Sequence, residues 1–199
     1  MLSTSAIALL AIGIIVVLIT PGPTNTLLAA AGLRQGVRRS LPLIAAELAG
    51  HLLSISVWGH FLAQAAHALP WLPSLLRVAA GVYIAYLAVD MWRAAVALPD
   101  STQRASGMRT LFVATLLNPK GLLFAGTIFP AVAFVHVPAY AAAMLMFACL
   151  LVPIALAWIA FGAALGSGKL TWLNPVKMQR GASIVLGVFS LSLAWATLH

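Results

Sequence analysis

The sequence predicts an all-α membrane protein: six transmembrane helices, arranged as two inverted three-helix repeats, with helices 1 and 4 interrupted at "PGP" and "NPK". Three observations predict it. The chain of 199 residues is 63% hydrophobic and only 7% charged, whereas a soluble domain carries about a quarter charged residues. It divides into six apolar runs, each near the ~20 residues that a helix needs to cross a bilayer. Two of those runs are broken by proline at corresponding places. The three acids, Glu47, Asp90 and Asp100, are too few to cover a water-facing surface.

The runs are residues 4–33, 40–66, 71–92, 109–135, 138–165 and 179–198, joined by short connections, so residues 1–199 read as one transmembrane domain. The first begins at "MLSTSAIALL", which lacks a basic region and a small-residue cleavage site, and is expected to be retained as a span. Within it, "LITPGPTN" places two prolines around a glycine. Proline lacks a backbone N–H and clashes with the preceding turn, which frees carbonyls around Leu18 and Ile19. Pro23 suits the first position of a new helix.

The second run, "AAELAGHLLSISVWGH", places Glu47, His51, Ser54 and Trp58 at spacings of 4, 3 and 4, one polar stripe on an apolar helix. Gly50 beside it allows close helix approach. The third run ends at Asp90, read as a helix-end or salt-bridge residue. In the fourth, "LLNPKGLLF", Asn118 suits an N-cap and Pro119 the first helical position. Both breaks would present unpaired amides and the positive end of a half-helix, a seat for a carboxylate. The fifth run holds Cys149, the single cysteine. It excludes an intrachain disulfide, a Cys-x-x-Cys redox pair and a thiolate metal cluster. His60, His67, His136 and His199 fall near the outer face, and most tryptophans fit interfacial belts.

Charge placement gives orientation. Arg34, Arg38, Arg39, Arg93, Arg104, Arg109, Lys169, Lys177 and Arg180 all fall in connections on one side. By the positive-inside rule that side is cytoplasmic and both termini face outward. The net charge of +8 therefore reports topology and not nucleic-acid binding. The inverted repeat rests on the paired breaks, on Pro42 and Pro138 opening the following spans, and on Arg77–Trp92 matching Arg180–Trp195 at fifteen positions each.

Depth selects the candidate site. Pro23 lies about 16 Å from Arg34 along a helix, and Lys120 about 16 Å from Arg109, both near the midplane. Glu47 and His51 count to a similar layer, at about 12 and 18 Å from Arg39. The candidate substrate-binding residues are Pro21, Gly22, Pro23, Thr24, Asn25, Asn118, Pro119 and Lys120, with Glu47 and His51 as candidates for proton coupling. Two readings of each charged residue stay open. Lys120 holds substrate, or is a structural cation satisfied by Glu47 or by the freed carbonyls. Glu47 and His51 exchange protons, or form a neutral hydrogen-bonded pair that fixes helix packing. An enzyme is not expected, because the acids, dyads or metal ligands that intramembrane catalysis needs are missing, and Glu47 with His51 makes no zinc site.

The stretch "TPGPTNTLLAAAGLRQGVRRSLPLIAAELAGH" resembles the opening of the LysE/RhtB amino-acid exporter family, and "NPKGLLFAGTIFPA" is similar to that family's second motif. The resemblance covers essentially the whole chain and carries Pro21, Gly22, Pro23, Asn118, Pro119 and Lys120. It implies a secondary exporter of amino acids or their derivatives in a bacterial inner membrane, driven by the proton gradient. A channel or a non-transporting scaffold is the alternative. No cofactor or metal is implied. The implied partners are a small-molecule substrate, protons and the lipid bilayer, with a homodimer left open. The chain departs from the family in the second span, at Ala46, Glu47 and His51, which bears on substrate class.

Overall fold

The computed structural model describes residues 4–69 and 107–167 continuously, with isolated positions between 71 and 93 and between 184 and 191. The described residues are helical, with no strand among them. Helix α1 spans Thr4–Ile19, α2 Pro23–Ser40 and α3 Pro42–Ala68. After the second continuous stretch begins come α4, Met108–Leu116, and α5, Pro119–Leu123. α5 runs on into a π-helical turn, Phe124–Ile128, then a 3-10 turn, Ala131–Phe134, and finally α6, Val137–Gly166. Described positions from Leu75 to Arg93 and from Ile184 to Leu191 are also helical. Asp90, Arg77, Arg104, Lys169, Lys177, Arg180, Trp172, Trp195 and His199 lie outside the described residues.

Helix boundaries follow the local chemistry. α1 is apolar all round and stops where Pro21 cannot continue its hydrogen bonding. α2 and α3 each carry proline in their first turn, as does α6. The axes of α1 and α2 differ by 57°, and those of α4 and α5 with its π turn by 44°. Two described helices are long and apolar enough to cross a bilayer, within α3 and α6, or four if each bent pair counts as one span. Leu9, Leu117, Val137 and Leu145 turn outward at 66–78% exposure, the surface that a hydrocarbon solvent favours.

One expectation is sharpened and one corrected. The basic segment from Arg34 to Arg39, expected in the connection between the first two spans, is a tight bend: two helical runs meet at Gly36, the second ends α2 at Ser40, and α3 follows after Leu41. Gly36, at φ 76°, makes the one bend, in a region that residues with a Cβ disfavour. The run at 109–135 is interrupted twice, at Leu117–Asn118 and again where Phe129 and Pro130 end the π turn.

The core sits where α2 crosses α6, and small residues set its closeness. A Cβ on Gly32 would strike the Ile159 carbonyl, and one on Gly162 the Ala29 carbonyl. One on Gly166 would come within 2.7 Å of Leu33 O. Gly162 and Gly166 form a GxxxG pair, the pattern that lets membrane helices approach backbone to backbone. Leu28, Ala31, Phe147, Leu151, Ala155 and Ile159 fill the space around this seam.

Gly162→Ala is therefore expected to lower stability by about 1–3 kcal/mol, the range for overpacking. Gly126→Ala is expected to stay within about 0.5 kcal/mol, since its Cβ would meet only Leu62, at 3.5 Å. Thermal unfolding of both variants in the same detergent checks the contrast.

Candidate functional site

The first break leaves carbonyls without helical partners, and two side chains meet them. Asn25 Nδ2 donates to Leu18 O and to Thr20 O, both at 2.7 Å. Lys120 Nζ, one hundred residues away, donates to the same Thr20 O at 2.7 Å. The carbonyls that accept are those of Leu18 and Thr20; the reading from sequence named Leu18 and Ile19. Thr20, the residue after α1, still bonds back to it, its hydroxyl donating to Val16 O at 2.7 Å.

Gly22 precedes α2 in extended conformation and provides no side-chain cap. Lys120 Cε and Nζ would both lie 3.3 Å from a Cβ there. The lysine therefore spans the bend, with its ammonium against the negative end of α1 and beside the positive start of α2. The second break is capped differently. Asn118 Oδ1 accepts from the Lys120 N–H at 3.0 Å, so α5 begins with its own side-chain cap.

α3 supplies the facing wall. Glu47, His51 and Ser54 are 1%, 0% and 2% exposed. Gly121 of α5 packs directly on Ser54, and a Cβ there would run into Ser54 Oγ. Gly50 sits against Thr115 and Phe112 of α4, where an added Cβ would lie 2.8 Å from Thr115 Cβ. Glycine on both helices thus draws α3 onto the second break.

The charges gather here. Glu47 and Lys120 attract each other through a low-dielectric interior. The Thr24 hydroxyl lies within interaction range of the Glu47 carboxyl, outside good hydrogen-bond geometry. Thr24 Oγ1, Glu47 Oε2, Ser54 Oγ and Asn118 Nδ2 are buried without hydrogen-bond partners among the described residues. Buried polar atoms left unpaired are uncommon and each calls for an account.

His51 lies within the electrostatic reach of Lys120 but makes no hydrogen bond to this cluster. Its ring lies edge-on to Phe124 and Phe147, at centroid distances of 5.7 and 5.6 Å, and neither nitrogen has a hydrogen-bond partner among the described residues. Phe124 opens the π turn. A hydrogen-bonded Glu47–His51 pair is thus absent from this conformation, because two phenylalanines occupy the flanks of the imidazole. Trp58 also leaves the polar stripe. It is 38% exposed and packs edge-on against Phe61, while Ile55 takes the buried position. His60 is exposed, but its ring lies against Phe134 and Tyr140.

The structure thus brings Gly22 and Asn25 to Lys120 around the Thr20 carbonyl, with Thr24 at the Glu47 carboxyl and Asn118 capping the lysine's own helix, whereas Pro23 and Pro119 are exposed. Sequence reasoning missed Thr20 as the shared acceptor, Gly121 as the contact with Ser54, and the Phe124–Phe147 pair. The glycine directly after "NPK" was the available signal for Gly121. Nothing in the spacing pointed to the phenylalanines.

Asn25→Ala removes two buried hydrogen bonds and leaves their carbonyls to other donors. Its expected loss of stability is about 1–3 kcal/mol, against ~1 kcal/mol for Asn118→Ala, which removes one cap. Thermal unfolding of the two variants in detergent checks the order.

The comparisons with known proteins agree with this architecture at family level. The family model described as LysE type translocator matches residues 15–199. No curated protein and no solved structure matches the chain.

Proposed function

The chain belongs to the LysE type translocator family, and from that premise we propose that it is a secondary exporter of amino acids or amino-acid derivatives, coupled to protons. It works as one domain of residues 1–199 in a bacterial inner membrane, with the basic connections cytoplasmic and both termini periplasmic. α1 with α2, and α4 with α5 and its π turn, are two interrupted spans of six. They are the first members of two inverted three-helix repeats, a plan that puts substrate at the interrupted helices near the midplane.

The observation that carries this reading is the Lys120 ammonium reaching from one break to the Thr20 carbonyl of the other, with Glu47 buried nearby. Opposite charges side by side in one buried layer suit a zwitterion. Polar groups at this depth in hydrocarbon are expensive to keep, which favours function over decoration. The substrate carboxylate takes the start of α2, where Gly22 leaves the first amides without a side-chain cap and Lys120 stands alongside. α5 is less suited, since Asn118 already caps it. The substrate ammonium meets Glu47, with Thr24 and Ser54 as further polar contacts.

Proton exchange falls to Glu47. When the substrate ammonium binds, its positive charge pairs with the carboxylate; when it leaves, a proton takes its place on the carboxyl, so one positive charge is exchanged for another. His51 joins in only after the Phe124–Phe147 pair has moved off its ring. The two ring contacts make His51 the slower partner.

Export of a panel of labelled amino acids from cells expressing the chain tests this reading, with and without an uncoupler. At least one should leave the cell against its gradient, and the uncoupler should abolish it. Movement only down the gradient would mean a channel, and no movement of any would mean a scaffold. In proteoliposomes Glu47→Gln should reduce proton-driven export about tenfold or more, the effect of losing a charged hydrogen-bond partner worth ~1.5–3 kcal/mol. Unchanged export and pH dependence in that variant would remove Glu47 from the coupling.

A further inference from the structure

We propose that the broken end of α1 is a binding site for a small monovalent cation, and that the Lys120 ammonium is its built-in occupant. The end of a helix carries partial negative charge on its last carbonyls, and here the prolines prevent those carbonyls from being used up by a continuing helix. Leu18 O and Thr20 O converge, since both lie 2.7 Å from the single atom Asn25 Nδ2. Thr20 O also holds the Lys120 ammonium at 2.7 Å. Among the described residues Glu47 is the acid whose charge acts on that ammonium, and the unpartnered buried hydroxyl of Thr24 lies by the Glu47 carboxyl.

The Thr20 carbonyl at the ammonium, with the Leu18 carbonyl, the Thr24 hydroxyl and the Glu47 carboxylate around it, offers oxygen ligands of the kind that suit a hard cation. Interrupted membrane helices commonly use such carbonyl ends to hold sodium or a proton. One carboxylate balances one positive charge, so a monovalent ion fits and a divalent one would be left with surplus charge. Lys120 satisfies the same electrostatics with a tethered ion. A tethered ammonium cannot diffuse away, so the wild-type chain has no call for free sodium at this position. The lysine's end also passes close to Gly22, where a Cβ would lie 3.3 Å from Cε and Nζ and press the ammonium aside by a few tenths of an ångström.

The inference deepens the site assigned to transport and rests on that reading only for what it says about coupling; binding itself is measured without transport. Purified wild type, Lys120→Ala and Lys120→Met are melted in detergent in choline chloride and in sodium, lithium, potassium or methylammonium chloride at equal ionic strength. Wild type should melt at the same temperature in sodium and choline. Lys120→Ala should melt lower in choline and regain about 2–4 °C or more in sodium or methylammonium, saturably. Lys120→Met keeps most of the stem and should respond to sodium but not to the bulkier methylammonium. Equal melting of both variants in every salt would overturn the proposal, as would a sodium shift of the same size in wild type. Recovery of both variants only as aggregates in every salt, sodium included, would overturn it too, because a filled seat should restore the fold. A sodium shift in Lys120→Ala without export by wild type would refute the exporter reading alone.

Discussion

A lysine buried among apolar helices must be satisfied by oxygen, and Lys120 finds it on Thr20. Much of the site follows from that need. The acceptor exists because two prolines stop α1 from using its own carbonyls. The lysine's end runs close past Gly22, where a Cβ would crowd it at 3.3 Å. The ammonium can stay buried because Glu47, on a third helix, offsets its charge. If any of these were missing, the cation would sit in hydrocarbon without compensation, at a penalty of several kcal/mol.

The same arrangement explains why three helices converge at one depth. α3 reaches the second break through Gly121 against Ser54 and reaches α4 through Gly50 against Thr115. Without a hydrophobic driving force between apolar helices in lipid, close backbone approach and polar contacts must hold the bundle. Glycines supply the first of these and the Asn25, Asn118 and Lys120 hydrogen bonds the second. Aromatic packing of Phe124, Phe129 and Phe147 fills the remaining space.

Much of this was legible in the chain. Proline removes a donor wherever it stands, so the ends of α1 and α4 could be read from "PGP" and "NPK" alone. The burial of Glu47, His51 and Ser54 followed from their helical spacing. Trp58 continued the same spacing yet faces outward, because a stripe on a helix is buried only as far as its neighbours extend. The basic residues 34–39 read as a connection because charge is poor company for lipid, and the chain does bend there, at Gly36; what the charges did not reveal is that the residues on both sides of that glycine stay helical. Contacts across the chain were hidden: which carbonyl Lys120 takes, and which rings flank His51, depend on packing that no local pattern encodes.

The glycine seam between α2 and α6 has one more consequence. With Gly32 and Gly162 each pressed against a carbonyl of the other helix, neither helix has room to slide or rotate on its partner. α2 is thereby fastened to α6 more firmly than to α1, although α1 is its immediate neighbour in sequence. Any displacement of α1 relative to α2 has to be absorbed by the few residues from Thr20 to Gly22. The mechanical boundary of the molecule then runs through that bend, and the Lys120 stem is the strut laid across it.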